Sequence, residues 1–225
     1  MIRVEAFGAQ ALLITLAEQP DGQLPLRIAH LAQRLRDTLG QALTDCVPGW
    51  TTLLVHYDLL RIDPAQVQQQ VRRLLAEWPG QRREDAAMGR LHEIEVCYSG
   101  EDLDAVAQSC GLSRTDVIDL HAGREYRVGA IGFAPGFAYL GELDERLRLP
   151  RRANPRTQVP AGSVAIAERQ TAVYPQASPG GWHLLGLSRQ VLFDATRQPP
   201  CPLAVGDRVR FVPIDEAAYR QGTGA

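Results

Sequence analysis

Between Gly129 and Gly186 the chain concentrates 8 of its 20 glycines and 6 of its 15 prolines, and no helical hydrophobic period runs through them. Glycine supplies backbone conformations that other residues avoid, while proline fixes φ and removes a donor, so this segment is predicted to turn often and to exclude a long helix. Short apolar runs lie within and beside it: YRVGAIG, SVAIA, TAVYP, WHLLGLS and, further on, DRVRFVPI. Short strands at close spacing with Gly/Pro corners predict a barrel or sandwich over the C-terminal part of the chain.

The first third has a different texture. IRVEAFG and ALLITLA read as strands, and a helix follows Pro25 with Ile28, Leu31, Leu35 and Leu39 on one face and Gly40 as its stop. Two more strands, ALTDCV and TTLLVHYD, flank the turn PGW. Asp63 then caps a helix with Pro64 in its first position, burying Val67, Val71, Leu74, Leu75 and Trp78 and ending at Pro79-Gly80. The polar, aperiodic GQRREDAAMGR, near residues 80–90, is the predicted linker. The expected architecture is an α+β N-terminal domain, 1–84, followed by a mainly-β domain, 85–225. The second domain opens with the strand LHEIEVCY. Two short helices follow, DLDAVAQSC ending at Gly111 and SRTDVIDLHAG with Ser113 as its cap and Asp116 in its first turn. They are too short and too acidic to serve as a DNA-reading pair. The last segment, DEAAYRQGTGA, is expected to be a frayed polar tail.

Charge and composition remove several function classes. A net charge of −2 argues against general nucleic-acid binding, which rests on phosphate neutralisation. All 24 basic residues are arginine, so a Schiff-base lysine and a phosphate-loop lysine are both unavailable. Cys46, Cys97, Cys110 and Cys201 form no C-x-x-C pair, and the five histidines show no metal-ligand spacing, so no metal site is expected. No apolar run approaches the roughly 20 residues of a membrane span. The N-terminus lacks the basic head and apolar middle of a signal peptide, which makes the cytoplasm the expected compartment.

Three parts of the Gly/Pro-rich segment exceed what corners require. In GFAPGFAYLG, Phe133, Phe137 and Tyr139 surround Pro135-Gly136; they suit core packing after a strand equally well as a pocket wall on which a planar ligand stacks. In RLRLPRRANPR, Arg146 and Arg148 fit a solvated turn beside Glu142, Asp144 and Glu145. Arg151, Arg152 and Arg156 lie between Pro150, Pro155 and Pro160, where a guanidinium is a ready fork for a carboxylate or phosphate, a solvated run being the alternative. In VPAGSVAIAERQTAVYPQASPGGWHLLG, the loops PAGS and SPGGW are predicted to leave backbone N–H groups free for an oxyanion. Gln170, Thr171 and Tyr174 are expected to face those loops. Ser163 does not sit in a G-x-S-x-G elbow, and no catalytic residue is assigned. The candidate binding set is therefore Phe137, Tyr139, Arg152, Arg156, Gln170, Thr171 and Tyr174, with Gly180, Gly181 and Trp182. Its members are expected to converge on one electropositive hollow for an anionic guest.

The same residues carry a family resemblance. GFAPGFAYLG, PRRANPRTQVPAGSVAIAERQTAVYPQASPGGWHLLG and AVGDRVRFVPI closely resemble the B subunit of 5-oxoprolinase, whose family is also called KipI and, in older usage, allophanate hydrolase subunit 1. VPGWTTLLVHYD and GLSRTDVIDLH extend the likeness over nearly the whole chain. The resemblance implies that the second domain is a cyclophilin-like barrel. It also implies ATP-dependent opening of the 5-oxoproline lactam to glutamate, shared with an A and a C subunit, the latter closely paired with this chain. Alternatives within the family are inhibition of a sensor histidine kinase and a role in a urea- or allophanate-type amide-processing complex. Three departures stand out: the turn after CYSG is short, Glu168 stands where the family usually has Gly, and His183 where it usually has Gln. Were His183 a ligand contact, the substrate would differ from 5-oxoproline.

Overall fold

The computed structural model describes residues 2–78 and 89–221. Its contacts divide the chain into two compact units, Met1–Gly89 and Arg90–Ala225. The Pro79-Gly80 helix stop, the 84/85 boundary and nearly all of the predicted linker fall outside the described residues.

The first unit holds β1 (Arg3–Ala6), β2 (Ala11–Thr15), α1 (Leu24–Leu39), β3 (Leu43–Pro48), β4 (Thr52–Tyr57) and α2 (Pro64–Ala76). The four strands form one antiparallel sheet in the order β1-β2-β4-β3. Alternation along β2 and β4 buries Leu12, Ile14, Leu53 and Val55, which share a core with Ile28, Leu31 and Leu35 of α1 and Val67 and Val71 of α2. Both helices start where their side chains dictate. Asp21 Oδ1 accepts from the N–H groups of Gln23 and Leu24 at 2.8 and 2.7 Å. Asp63 accepts from Ala65 N–H at 2.7 Å while the Gln66 side chain accepts from Asp63 N–H, a reciprocal cap worth about 1 kcal/mol.

The second unit begins with β5 (Leu91–Cys97), α3 (Leu103–Cys110) and α4 (Arg114–Ala122). It continues through β6 (Glu125–Ile131), β7 (Ala138–Gly141), β8 (Arg156–Val159), β9 (Ser163–Ala167) and β10 (Gln170–Val173). β11 (Ser178–Gly180), β12 (His183–Leu187), β13 (Arg208–Ile214) and α5 (Glu216–Gln221) complete it. Seven strands close into a barrel in the order β10-β7-β6-β13-β5-β12-β9, and β8 and β11 form a separate two-stranded ribbon. Of the barrel pairings, only β5 with β13 is parallel, Leu91 facing Arg208 and Cys97 facing Ile214.

Side-chain alternation gives the β7–β10–β9 wall two apolar faces. Leu140, Val164, Ile166 and Val173 join the large core that also contains Tyr126, Val128 and Phe211. Phe137, Ala165, Ala167, Ala172 and Tyr174 belong to a second cluster with Val159 of the ribbon and Trp182. A strand buried on both faces reads as a near-continuous apolar run, and SVAIA, apolar after Ser163, is buried at all five positions.

Two expectations about local structure need correction. The C-terminal segment is not frayed throughout, because Glu216–Gln221 is helical. Asp215 Oδ1 accepts from Ala218 N–H at 2.7 Å, Arg220 pairs with Glu216 at 2.8 Å, and the Arg189 guanidinium lies 5.6 Å from the Tyr219 ring centroid. The loops PAGS and SPGGW also offer fewer free amides than expected. Gly162 N–H donates to Tyr174 O at 2.7 Å, Ser163 N–H donates to Pro160 O at 3.3 Å, and Ser178–Gly180 is a strand of the ribbon. Tight turns in a closed sheet consume their own donors.

Candidate functional site

The outer face of the barrel wall is an aromatic surface laid on small residues. Ala165, Ala167 and Ala172 leave room above the sheet, and Phe137 fills its centre. Around Phe137 stand Tyr139 at 4.9 Å, Tyr174 at 5.3 Å, Trp182 at 5.8 Å and Phe133 at 5.3 Å between centroids, all edge-to-face. Each such pair contributes about 0.5–1.5 kcal/mol beyond area burial. Phe137, Tyr174 and Trp182 are buried, Tyr139 is partly exposed, and Phe133 is 66% exposed, so the surface has a closed floor and an open rim. Gly180 lets the ribbon close over this floor, because a Cβ there would collide with the Tyr174 hydroxyl. Gln170 pairs in register with Ala167, which places it on this face.

Arg152 and Arg156 meet as predicted, but around a carboxylate. Asp102 Oδ1 accepts from Arg152 Nη1 at 2.7 Å and from Arg156 Nη2 at 2.8 Å, while its Oδ2 accepts from Leu184 N–H at 2.8 Å. Arg156 Nε also pairs with Glu101 at 2.6 Å. Burial acts to raise the Asp102 pKa. The Arg156 hydrogen bond, the Leu184 N–H and the two guanidinium charges outweigh burial and hold the carboxyl below its ordinary value. The predicted electropositive hollow is therefore corrected at these two positions. Their charge is met by Glu101 and Asp102, and the cluster ties the ribbon to the start of α3 and to β12. Gly100 makes this possible by running against β12, its N–H donating to Leu185 O at 3.0 Å.

Thr171 is a second correction. Its partners across the sheet are Ile166 and Leu140, so it points into the barrel, where it is fully buried. The Thr171 hydroxyl donates to Ala165 O at 3.1 Å and lies 2.8 Å from His121 Nε2. With its one proton committed, the hydroxyl accepts from Nε2–H, which leaves His121 Nδ1 to accept from the Tyr98 hydroxyl at 2.7 Å. The ring stacks on Phe211 at 4.5 Å. Burial pushes the His121 pKa down to about 3, so the imidazole is neutral at ordinary pH. Thr171 thus belongs to a closed polar network inside the barrel, away from the aromatic surface.

Comparison with known proteins gives this arrangement a family. A model of the carboxyltransferase domain, subdomains C and D, matches residues 2–203. The chain is 37% identical over 227 residues to the B subunit of 5-oxoprolinase from Bacillus subtilis, covering 96% of this chain and 95% of that one. An Escherichia coli O157:H7 protein of the same name is 44% identical over 209 residues, covering 90% and 89%. The chain belongs to the family of 5-oxoprolinase B subunits. Among solved structures, TTHA0988 superposes with a TM-score of 0.79 at 40% identity over 96% of this chain; this chain spans 40% of that longer polypeptide. The Kluyveromyces lactis urea carboxylase shares the fold, with a TM-score of 0.71 over 98% of this chain and 22% of the enzyme at 19% identity.

The departures from the family pattern have structural places. Glu168 adopts φ +55°, the left-handed region where glycine is at ease, and its N–H donates to Leu149 O at 2.7 Å. His183 Nε2 lies 2.8 Å from Pro150 O, so its N–H is spent on the backbone of the arginine segment. Sequence reasoning missed Glu101 and Asp102 because they lie 50 or more positions before Arg152 and Arg156 in an acidic stretch that reads as a helix start. The departure in the CYSG turn was the available signal, since that turn holds both acids. Among the described residues no group of three or more His, Cys, Asp or Glu is placed to hold a metal, and no helix is long and apolar enough to cross a membrane.

Proposed function

We propose that this chain is the B subunit of a cytoplasmic, ATP-consuming 5-oxoprolinase that opens 5-oxo-L-proline to L-glutamate together with an A and a C subunit. The observation that carries the reading is the 37–44% identity, over nine-tenths or more of this chain, to two proteins of that name. The outer barrel face suits the chemistry. A lactam carbonyl is a poor electrophile, and phosphorylation of its oxygen by ATP makes the carbon open to water. What remains for the protein is orientation and charge placement. A planar five-membered ring lies flat on the open aromatic rim of Tyr139 and Phe133, above the buried Phe137 and Trp182, while Gln170 supplies an amide at its edge. Gly180, Gly181 and Tyr174 keep the ribbon close, and the Arg152–Asp102–Arg156 cluster fixes it in place. This chain has no phosphate-loop pattern and no lysine, so ATP is assigned to the assembly as a whole.

The test is to co-express this chain with its A and C subunits and measure glutamate released from 5-oxoproline with and without ATP. ATP-dependent release that needs all three chains supports the proposal. No release from the full assembly, with inhibition of a sensor histidine kinase by this chain alone, overturns it.

A further inference from the structure

The pairing of Arg152 and Arg156 with Asp102 leaves one arginine of the proline-bounded segment without a carboxylate among the described residues. Arg151 is exposed and makes no ion pair there, yet the backbone on both sides of it is fixed. Leu149 O accepts from Glu168 N–H at 2.7 Å, Pro150 O from the His183 ring at 2.8 Å, and Arg152 N–H donates to Gly181 O at 2.8 Å. Three anchors within four residues hold the segment against the β9–β10 turn and the β11–β12 turn. With the backbone already ordered, binding costs only the rotamer freedom of the Arg151 side chain and no loop reorganisation.

The anchored arginine lies beside the aromatic rim. Burial raises the pKa of both Tyr139 and Tyr174, and in each case the Arg151 charge is the leading influence acting the other way. The bond from Arg152 N–H to Gly181 O sets Arg151 beside the turn that joins Gly180, packed on the Tyr174 hydroxyl, to Trp182, the neighbour of Tyr139.

We propose that Arg151 is the anion-recognising residue of this surface, taking the carboxylate of a small cyclic amide whose ring rests on Tyr139 and its aromatic neighbours. The assignment rests on the 5-oxoprolinase reading and adds to it the specificity for an acid over its neutral amide. It also gives His183 a role: by holding Pro150 it positions Arg151 without touching substrate, and the exchange of Gln for His leaves a donor at that place.

The test uses the assembled A, B and C subunits and two substrates, 5-oxoproline and its carboxamide. A charged hydrogen bond is worth about 1.5–3 kcal/mol, or roughly 10–150-fold. The wild-type assembly should prefer the carboxylate in kcat/KM by that factor. Arg151→Gln should raise KM for 5-oxoproline by roughly 10–100-fold with little change in kcat, and should erase the preference. Arg151→Lys should keep part of it, since the charge survives and the planar fork is lost. Equal losses on both substrates, or a preference that survives Arg151→Gln, overturn the assignment. A wild-type assembly that converts neither compound sinks the enzymatic reading instead. Equilibrium titration of both compounds into that assembly then decides Arg151: a preference lost on Arg151→Gln supports it, and equal binding by wild type and variant refutes it.

Discussion

The two faces of the β9–β10 hairpin are built from alternating residues of one backbone, yet they solve opposite problems. On the inside, Val164, Ile166 and Val173 complete the barrel core, and the polar groups of Thr171, His121 and Tyr98 satisfy one another. On the outside, Ala165, Ala167 and Ala172 support a partly open aromatic rim under a ribbon held by an ion cluster. A closed network specifies a fold and leaves nothing for a ligand. A rim with an exposed ring and an unpaired cation still has groups to give.

The comparison breaks first at Asp102. Replacing it by Ala leaves two partly buried guanidinium groups facing each other, and removing one member of a buried pair costs about 3–5 kcal/mol. Arg152 is one-third exposed, so water screens part of this loss and the lower end of the range is expected. The denaturant midpoint of the chain reads it, and an unchanged midpoint would mean that the cluster does not secure the ribbon.

The inside face is sharpened by pH. Unfolded His121 takes up a proton near pH 6.5, whereas the folded ring stays neutral down to about 3. Its contribution is therefore complete above pH 6.5 and declines as pH falls, by about 1.4 kcal/mol per unit inside the window. Asp102, whose folded pKa is lowered, acts later: its contribution is present above the unfolded value near 3.9 and fades below it. Stability measured between pH 6.5 and 4 should lose one proton's worth of slope in His121→Gln. An identical slope in wild type and variant would show that the ring is charged in the fold.

Thr171→Val tests the division of labour at smaller cost. The variant keeps its shape and strands the His121 N–H, for about 1–3 kcal/mol, while KM for substrate in the assembly stays at the wild-type value. A raised KM with intact stability would return Thr171 to the binding surface.

How much of this was legible in the sequence follows from where the deciding partner lies. β9, β10, β12 and β13 are strands by their own composition, and the caps at Asp63 and Ser113 are set by residues two or three positions away. β8 and β11 are too short and too broken by Pro and Gly to announce themselves, and they exist because they pair with each other. Gln170 and Thr171 show the same limit at finer scale. Both are polar, and only the register with Ala167 and Ile166 decides which one faces the rim. The aromatic set was visible as types at short spacing, whereas the acids that neutralise Arg152 and Arg156 come from a loop half a domain earlier. Charge in a linear segment does not reveal which charges are already met.

Backbone hydrogen exchange of the assembled complex, with and without 5-oxoproline, tests most directly whether the outer face receives the substrate. Slowed exchange confined to residues 133–139, 149–152, 168–170 and 178–183 is the expected result. Protection that leaves those segments unchanged and appears instead in α4 or in other interior-facing elements of the barrel would contradict the account.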